Sequence, residues 1–137
     1  MYLTKSDIEK GAYPEIIAVL SRNDTNIEVA INEAMAEVRA YLTARYDMDA
    51  EYALTGNARN TMVVKLVRDV ALWNIYSGSN PVNMSETREA NYHATVKLLR
   101  DVQSEKATID GLQRKDVATG SSNYIQFKSN PKRSNHY

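Results

Sequence analysis

TNIEVAINEAMAEVRAYLTARY, residues 25–46, decides the fold. Ile27, Ile31, Ala34, Val38, Tyr41 or Leu42, and Arg45 follow at steps of four and three, which places one apolar stripe along a helix of about twenty residues. A helix from Thr25 to Tyr46 is expected, and a stripe of that width needs partners to cover it.

The partners are legible on both sides. Downstream, Asn60 can cap a helix carrying Met62, Val63, Leu66, Val67, Val70, Trp73 and Tyr76 on a wide apolar arc. That breadth predicts a central helix with Trp73 in the core, ending at Ser79-Asn80-Pro81. Ser85-Glu86-Thr87-Arg88 opens another, with Tyr92, Val96, Leu99 and Val102 on one side to about Lys106. Upstream, Thr4 stands three residues before Asp7, a capping-box variant. A short helix follows it, and a second over Glu15–Leu20 follows Pro14. After Asp110-Gly111 regular periodicity stops.

The sum is an all-α chain: a small antiparallel up-and-down bundle of three long helices plus short N-terminal ones, over residues 1–110. Residues 111–137 read as an extended C-terminal arm, in which only Tyr124-Ile125-Gln126-Phe127 has strand-like alternation. At 137 residues one domain suffices, burying roughly 65–70% of its unfolded surface.

Composition removes several function classes. There is no cysteine, so no disulfide framework, thiolate metal site or cysteine nucleophile. No apolar run reaches the roughly 18 residues of a membrane helix, and the opening residues lack a signal-peptide core, so synthesis in the cytoplasm and no membrane partner are expected. Acids alternate at Asp47, Asp49 and Glu51, but an EF-hand counted from Asp47 meets Tyr52 and Ala58 where it requires Gly and Glu. A solvated loop is the better reading. His93 and His136 anchor no triad or zinc pattern, the five glycines are scattered, and neither a catalytic residue, a cofactor nor a metal site is expected.

Formal charge is zero, from 17 basic and 17 acidic side chains. Residues 117–137 carry Lys128, Lys132 and Arg133 and no acid, so the tail is +3 and residues 1–116 are 14 − 17 = −3. General duplex binding is disfavoured, because it scales with the phosphates neutralised. Nine tyrosines against one phenylalanine suit either core rims or subunit contacts. The arginines on the long helices have acids nearby and admit two readings. They are solvated faces with weak ion pairs, or faces that pair between copies, with Arg45, Tyr46, Arg59 and Arg68 as candidate inter-subunit contacts.

Three stretches carry a family likeness: Met1-Tyr2-Leu3-Thr4 with Asp7, Ala40-Tyr41-Leu42 with Ala44-Arg45-Tyr46, and Val67-Arg68-Asp69-Val70-Ala71 through Ile75-Tyr76. In that order and spacing, over residues 1–105, the chain resembles phage head-to-tail adaptor (head-completion, or connector) proteins, including the Mu-like prophage type. The stretch Phe127-Lys128-Ser129-Asn130-Pro131-Lys132-Arg133 is similar, though not identical, to the Phe-x-Ser-x-Pro-Arg pattern frequent in that family's tail. The prolines usual in that family ahead of the second helix are missing from Met48–Asn57, so contacts made by that loop do not carry over.

The resemblance implies a viral structural protein of the bacteriophage virion: a ring oligomer of about twelve copies at the head–tail interface. The ring binds the portal protein, offers a surface to the tail or the next ring protein, and lets double-stranded DNA pass its lumen without sequence-specific binding. It also implies a portal-docking arm in which Tyr124, Ile125 and Phe127 anchor and Lys132 and Arg133 pair with acids. The alternatives are a tail-completion or stopper component, or a small helical regulator that binds DNA through the basic tail. No helix presents a basic face for the last of these.

Overall fold

The computed structural model describes residues 1–12, 24–79 and 86–115. Five α-helices lie within them: α1 (Lys5–Glu9), α2 (Asp24–Leu42), α3 (Met48–Tyr52), α4 (Thr61–Ser79) and α5 (Glu86–Gln103), with a 3-10 turn at Gly56–Ala58. No strand element occurs among them, and the chain is an all-α bundle as expected. The expected short helix over Glu15–Leu20 and the tail island at Tyr124–Phe127 lie outside the described residues.

The long helices pack pairwise, with α2 against α4, α4 against α5 and α2 against α5. Ile27, Ile31, Ala34, Val38 and Leu42 form the buried stripe of α2. Val63, Leu66, Val67, Val70, Ala71 and Leu72 are buried around much of α4, which is why that helix is central. Leu99 and Val102 of α5 close the core. Direction follows from contacts at one end of the bundle. Arg45, just past α2, donates to the Val102 and Ala107 carbonyls at 2.6 and 3.0 Å. Asn60, just ahead of α4, donates to the Asp110 carbonyl at 2.8 Å. The start of α4 therefore meets the ends of α2 and α5, and α4 runs counter to both.

Capping follows the sequence closely. Thr4 N–H donates to Asp7 Oδ2 at 3.0 Å while Asp7 N–H donates back to the Thr4 hydroxyl at 3.4 Å, so two orphan amides at the start of α1 are satisfied reciprocally. Asn60 Oδ1 accepts from Met62 and Val63 N–H at 3.0 and 3.3 Å.

Four expectations are corrected. The helix begun at Asp24 ends at Leu42, not Tyr46, because the chain after Ala107 captures its backbone: Lys115 N–H donates to Arg45 O and Asp47 N–H to Gln113 O, forming a bridge between Tyr46 and Arg114. Residues 47–52 contain a helix instead of a solvated loop, capped by Asp47 Oδ1 accepting from Ala50 N–H at 3.0 Å, with Met48 and Glu51 buried. The last long helix stops at Gln103, ahead of Lys106, where Glu105 turns to a φ of 65°. Trp73 is part-exposed at the rim, stacked on Tyr92 with ring centroids 4.4 Å apart.

The packed body also runs on beyond residue 110. Ile109 and Leu112 join the core, and the segment is tied down as far as Lys115. Gly111, at φ 72°, makes the turn that brings Leu112 inward.

Candidate functional site

Two features of the described residues stand out beyond the core, and the first is a latch over the N-terminus. Glu51 Oε1 accepts from the Tyr2 hydroxyl at 2.5 Å and from Asn60 N–H at 2.7 Å. Arg59 donates to Asp7 Oδ2 at 2.8 Å, to the Tyr2 carbonyl at 2.6 Å and to the Gly56 carbonyl at 2.9 Å. The Arg59 and Asp7 side chains are 14% and 9% exposed, so this pair has left bulk water. Residues 2–7 are thereby clamped to the segment that enters α4.

The latch makes stability depend on pH at both ends of the scale. The Arg59 guanidinium hydrogen-bonded to Asp7 holds its carboxyl well below the usual carboxylate range, outweighing burial, with Thr4 assisting. A depressed folded value gives stability that is complete above the ordinary carboxylate range and lost as pH falls through the folded value. Burial, reinforced by the bond to Glu51, pushes the Tyr2 hydroxyl above the ordinary tyrosine range. That stability is complete below the ordinary range, about pH 10, and is lost as pH rises. Thermal melts of Asp7→Asn should show a shallower acid fall than the parent, and Tyr2→Phe a shallower alkaline fall. Parallel curves for parent and variant would remove the latch from the account.

The second feature is an open groove of about 610 Å³ between the first half of α4, Leu98 of α5 and residues 108–110. Met62, Val64 and Ile109 make its lining apolar, and Lys65 and Arg68 stand in its wall. Lys65 is paired with Asp69 at 2.9 Å, and Asp69 also accepts from Thr95. Among the described residues no acceptor reaches Arg68, whose Nε is buried without a hydrogen bond.

The four side chains expected at subunit contacts thus differ in kind. Arg45 is committed to two carbonyls, and Arg59 to Asp7 and Tyr2. Tyr46 is 1% exposed and its hydroxyl accepts from Ile109 N–H at 3.0 Å, which leaves no face for a neighbour in this conformation. Of the four, Arg68 is the one whose guanidinium has no hydrogen-bond acceptor among the described residues. Sequence reasoning missed Glu51, whose partners are 49 and 9 residues away; the available signal was the helix-capping Asp47 ahead of it. The arm residues Tyr124, Ile125, Phe127, Lys132 and Arg133 lie outside the described residues.

Exposed His93 approaches Glu89 at 3.5 Å and lies beside Trp73 and Tyr92. Among the described residues no group of three His, Asp or Glu side chains is placed to hold a metal ion, and no helix is long and apolar enough to cross a membrane.

What these contacts define is a helical scaffold in which Arg45, Glu51 and Arg59 brace the fold's own turns. The family model described as Bacteriophage Mu, Gp36 matches residues 2–127, and the chain belongs to that family of phage proteins. The match takes in the packed body and the island ending at Phe127, and leaves out Lys132 and Arg133. No curated protein and no solved structure matches.

Proposed function

We propose that the chain is a structural component of the phage head–tail joint, without catalytic activity. Copies form a ring beneath the portal, extend the DNA channel and present a docking surface to the tail or the next ring protein. The observation that carries this reading is the family match, which spans the helical body and the apolar island beyond it.

The charge distribution is consistent with that role. Residues 1–116 carry a net −3, so a lumen built from them has little net attraction for the phosphates of passing DNA. The tail supplies the grip: Tyr124, Ile125 and Phe127 seat in the portal, and Lys132 and Arg133 pair with acids there. A ring strengthens that grip, because each further arm engages at the high effective concentration set by its neighbours.

Sedimentation of the chain with the purified portal of the same phage tests the reading. Full-length chain should co-sediment, and a version ending at Asp116 should not, while its helical circular dichroism is retained. Failure of the full-length chain to bind removes the adaptor role, and equal binding by both versions removes the arm from it.

A further inference from the structure

The groove and the outer face of α2 complement one another, and they belong to the same chain. Val29 is 49% exposed and Met62 is 41% exposed, the two large apolar side chains that the long helices leave most open to water. Val29, Glu33, Ala36 and Ala40 follow at steps of four, three and four on the side of α2 turned away from its buried stripe, and all are exposed. The two alanines leave room for a second helix to approach. Glu28 and Glu33 have no ion pair among the described residues.

Arg68 is the counterpart of those acids. Its stem is held against the backbone of Gly11, where an added Cβ would stand 2.7 Å from Arg68 Cδ, so the guanidinium is positioned before any partner arrives. The head of Arg68 lines the groove with no acceptor among the described residues, and a carboxylate that reaches its outer guanidinium nitrogens forms a charge-assisted pair with it. The neighbouring apolar wall of Met62, Val64 and Leu98 gains by burying a side chain the size of valine.

We propose that the outer face of α2 of one copy seats on the groove of the next, with Val29 against Met62 and Leu98 and Glu33 directed to Arg68. The occupant is a second copy because the acidic face points away from its own groove. Two α2 faces bring Glu28 and Glu33 together and so oppose pairing with each other, whereas an α2 face on the groove sets Glu33 against Arg68. The contact is therefore head-to-tail, the type that repeats around a closed ring. The seam rests on the ring reading above and names its surfaces.

The absence of native cysteine makes the test clean. Phage are prepared in which the chain carries Val29→Cys, Met62→Cys or both, DNA-filled heads are isolated, and a short bis-maleimide is added before denaturing electrophoresis. Both positions are exposed, so helical circular dichroism should not change. The expected result is a ladder of covalent multimers from the double variant and monomer alone from each single variant. Dimers from either single variant overturn the seam in favour of a self-paired face. A double variant present on heads but never cross-linked overturns it too, leaving the ring reading in place. Absence of the unsubstituted chain from heads removes the ring reading, and the seam with it.

Discussion

Arg59→Ala is expected to lower the unfolding free energy by about 3–5 kcal/mol, the cost typical of removing one partner from a buried ion pair. The loss is large because Asp7, 9% exposed, stays buried with its main counter-charge gone. The Tyr2 carbonyl loses its donor and the Gly56 carbonyl its tie, so residues 2–7 and the turn before α4 loosen together. Urea denaturation of parent, Arg59→Ala, Asp7→Ala and the double variant measures this. The double variant should be much less destabilised than the sum of the singles, since removing both charges leaves neither stranded. A single-variant loss under about 1 kcal/mol, the scale of a surface ion pair, would mean that the pair is solvated and the latch is ornamental.

Tyr46→Ala should cost a similar amount, about 3–5 kcal/mol, as for other large aromatic truncations in a packed core. Tyr46→Phe separates the two components of that loss. It keeps the ring and removes the acceptor for the buried Ile109 N–H, at about 1–3 kcal/mol. Both variants should loosen residues 109–115 before the bundle melts, because the Tyr46 hydroxyl is the side-chain tie to Ile109 and its loss leaves the segment held by the backbone bridge at Arg114. Limited proteolysis reads this directly: new cleavage within 112–115 is expected in Tyr46→Phe under conditions where the parent is intact. Unchanged cleavage and a stability loss confined to Tyr46→Ala would reduce Tyr46 to a space-filling role.

These two residues also mark how far the sequence could be read. The stripe on α2, the Asn60 cap and the Thr4–Asp7 box are local signals, spaced within three or four residues, and each is found where the spacing puts it. Tyr46 sits one step beyond the same periodic pattern, so it reads as another helical turn. Its actual place depends on residues 109–115, some sixty positions downstream, which pull the backbone out of the helix. α3 was hidden for a different reason. Its alternating acids look like solvated loop, yet Asp47 is a helix cap and Glu51 points inward to Tyr2 and the Asn60 amide. A carboxylate at the centre of a hydrogen-bond network carries no local signature when its partners come from distant parts of the chain.

The candidate contacts divide along the same line. An arginine in a sequence announces charge, and only tertiary structure tells whether that charge is spent inside the fold. Arg45 and Arg59 are spent there; Arg68 is not, because Gly11 packs against its stem and none of the described acids pairs with its head. The distinction sets Arg68 apart from Arg45 and Arg59 in what its own chain supplies to it.

The proposed place of this Mu Gp36-family chain is the head side of the head–tail joint. Its gene product can be epitope-tagged in a phage whose tails are prevented from forming, and the DNA-filled heads and any free tail components separated by density and labelled with gold. One labelled vertex on filled heads is expected, with label lost when the chain ends at Asp116. Label on tail components alone, or on neither particle, would contradict it, the first in favour of a tail-completion protein and the second in favour of a regulator outside the virion.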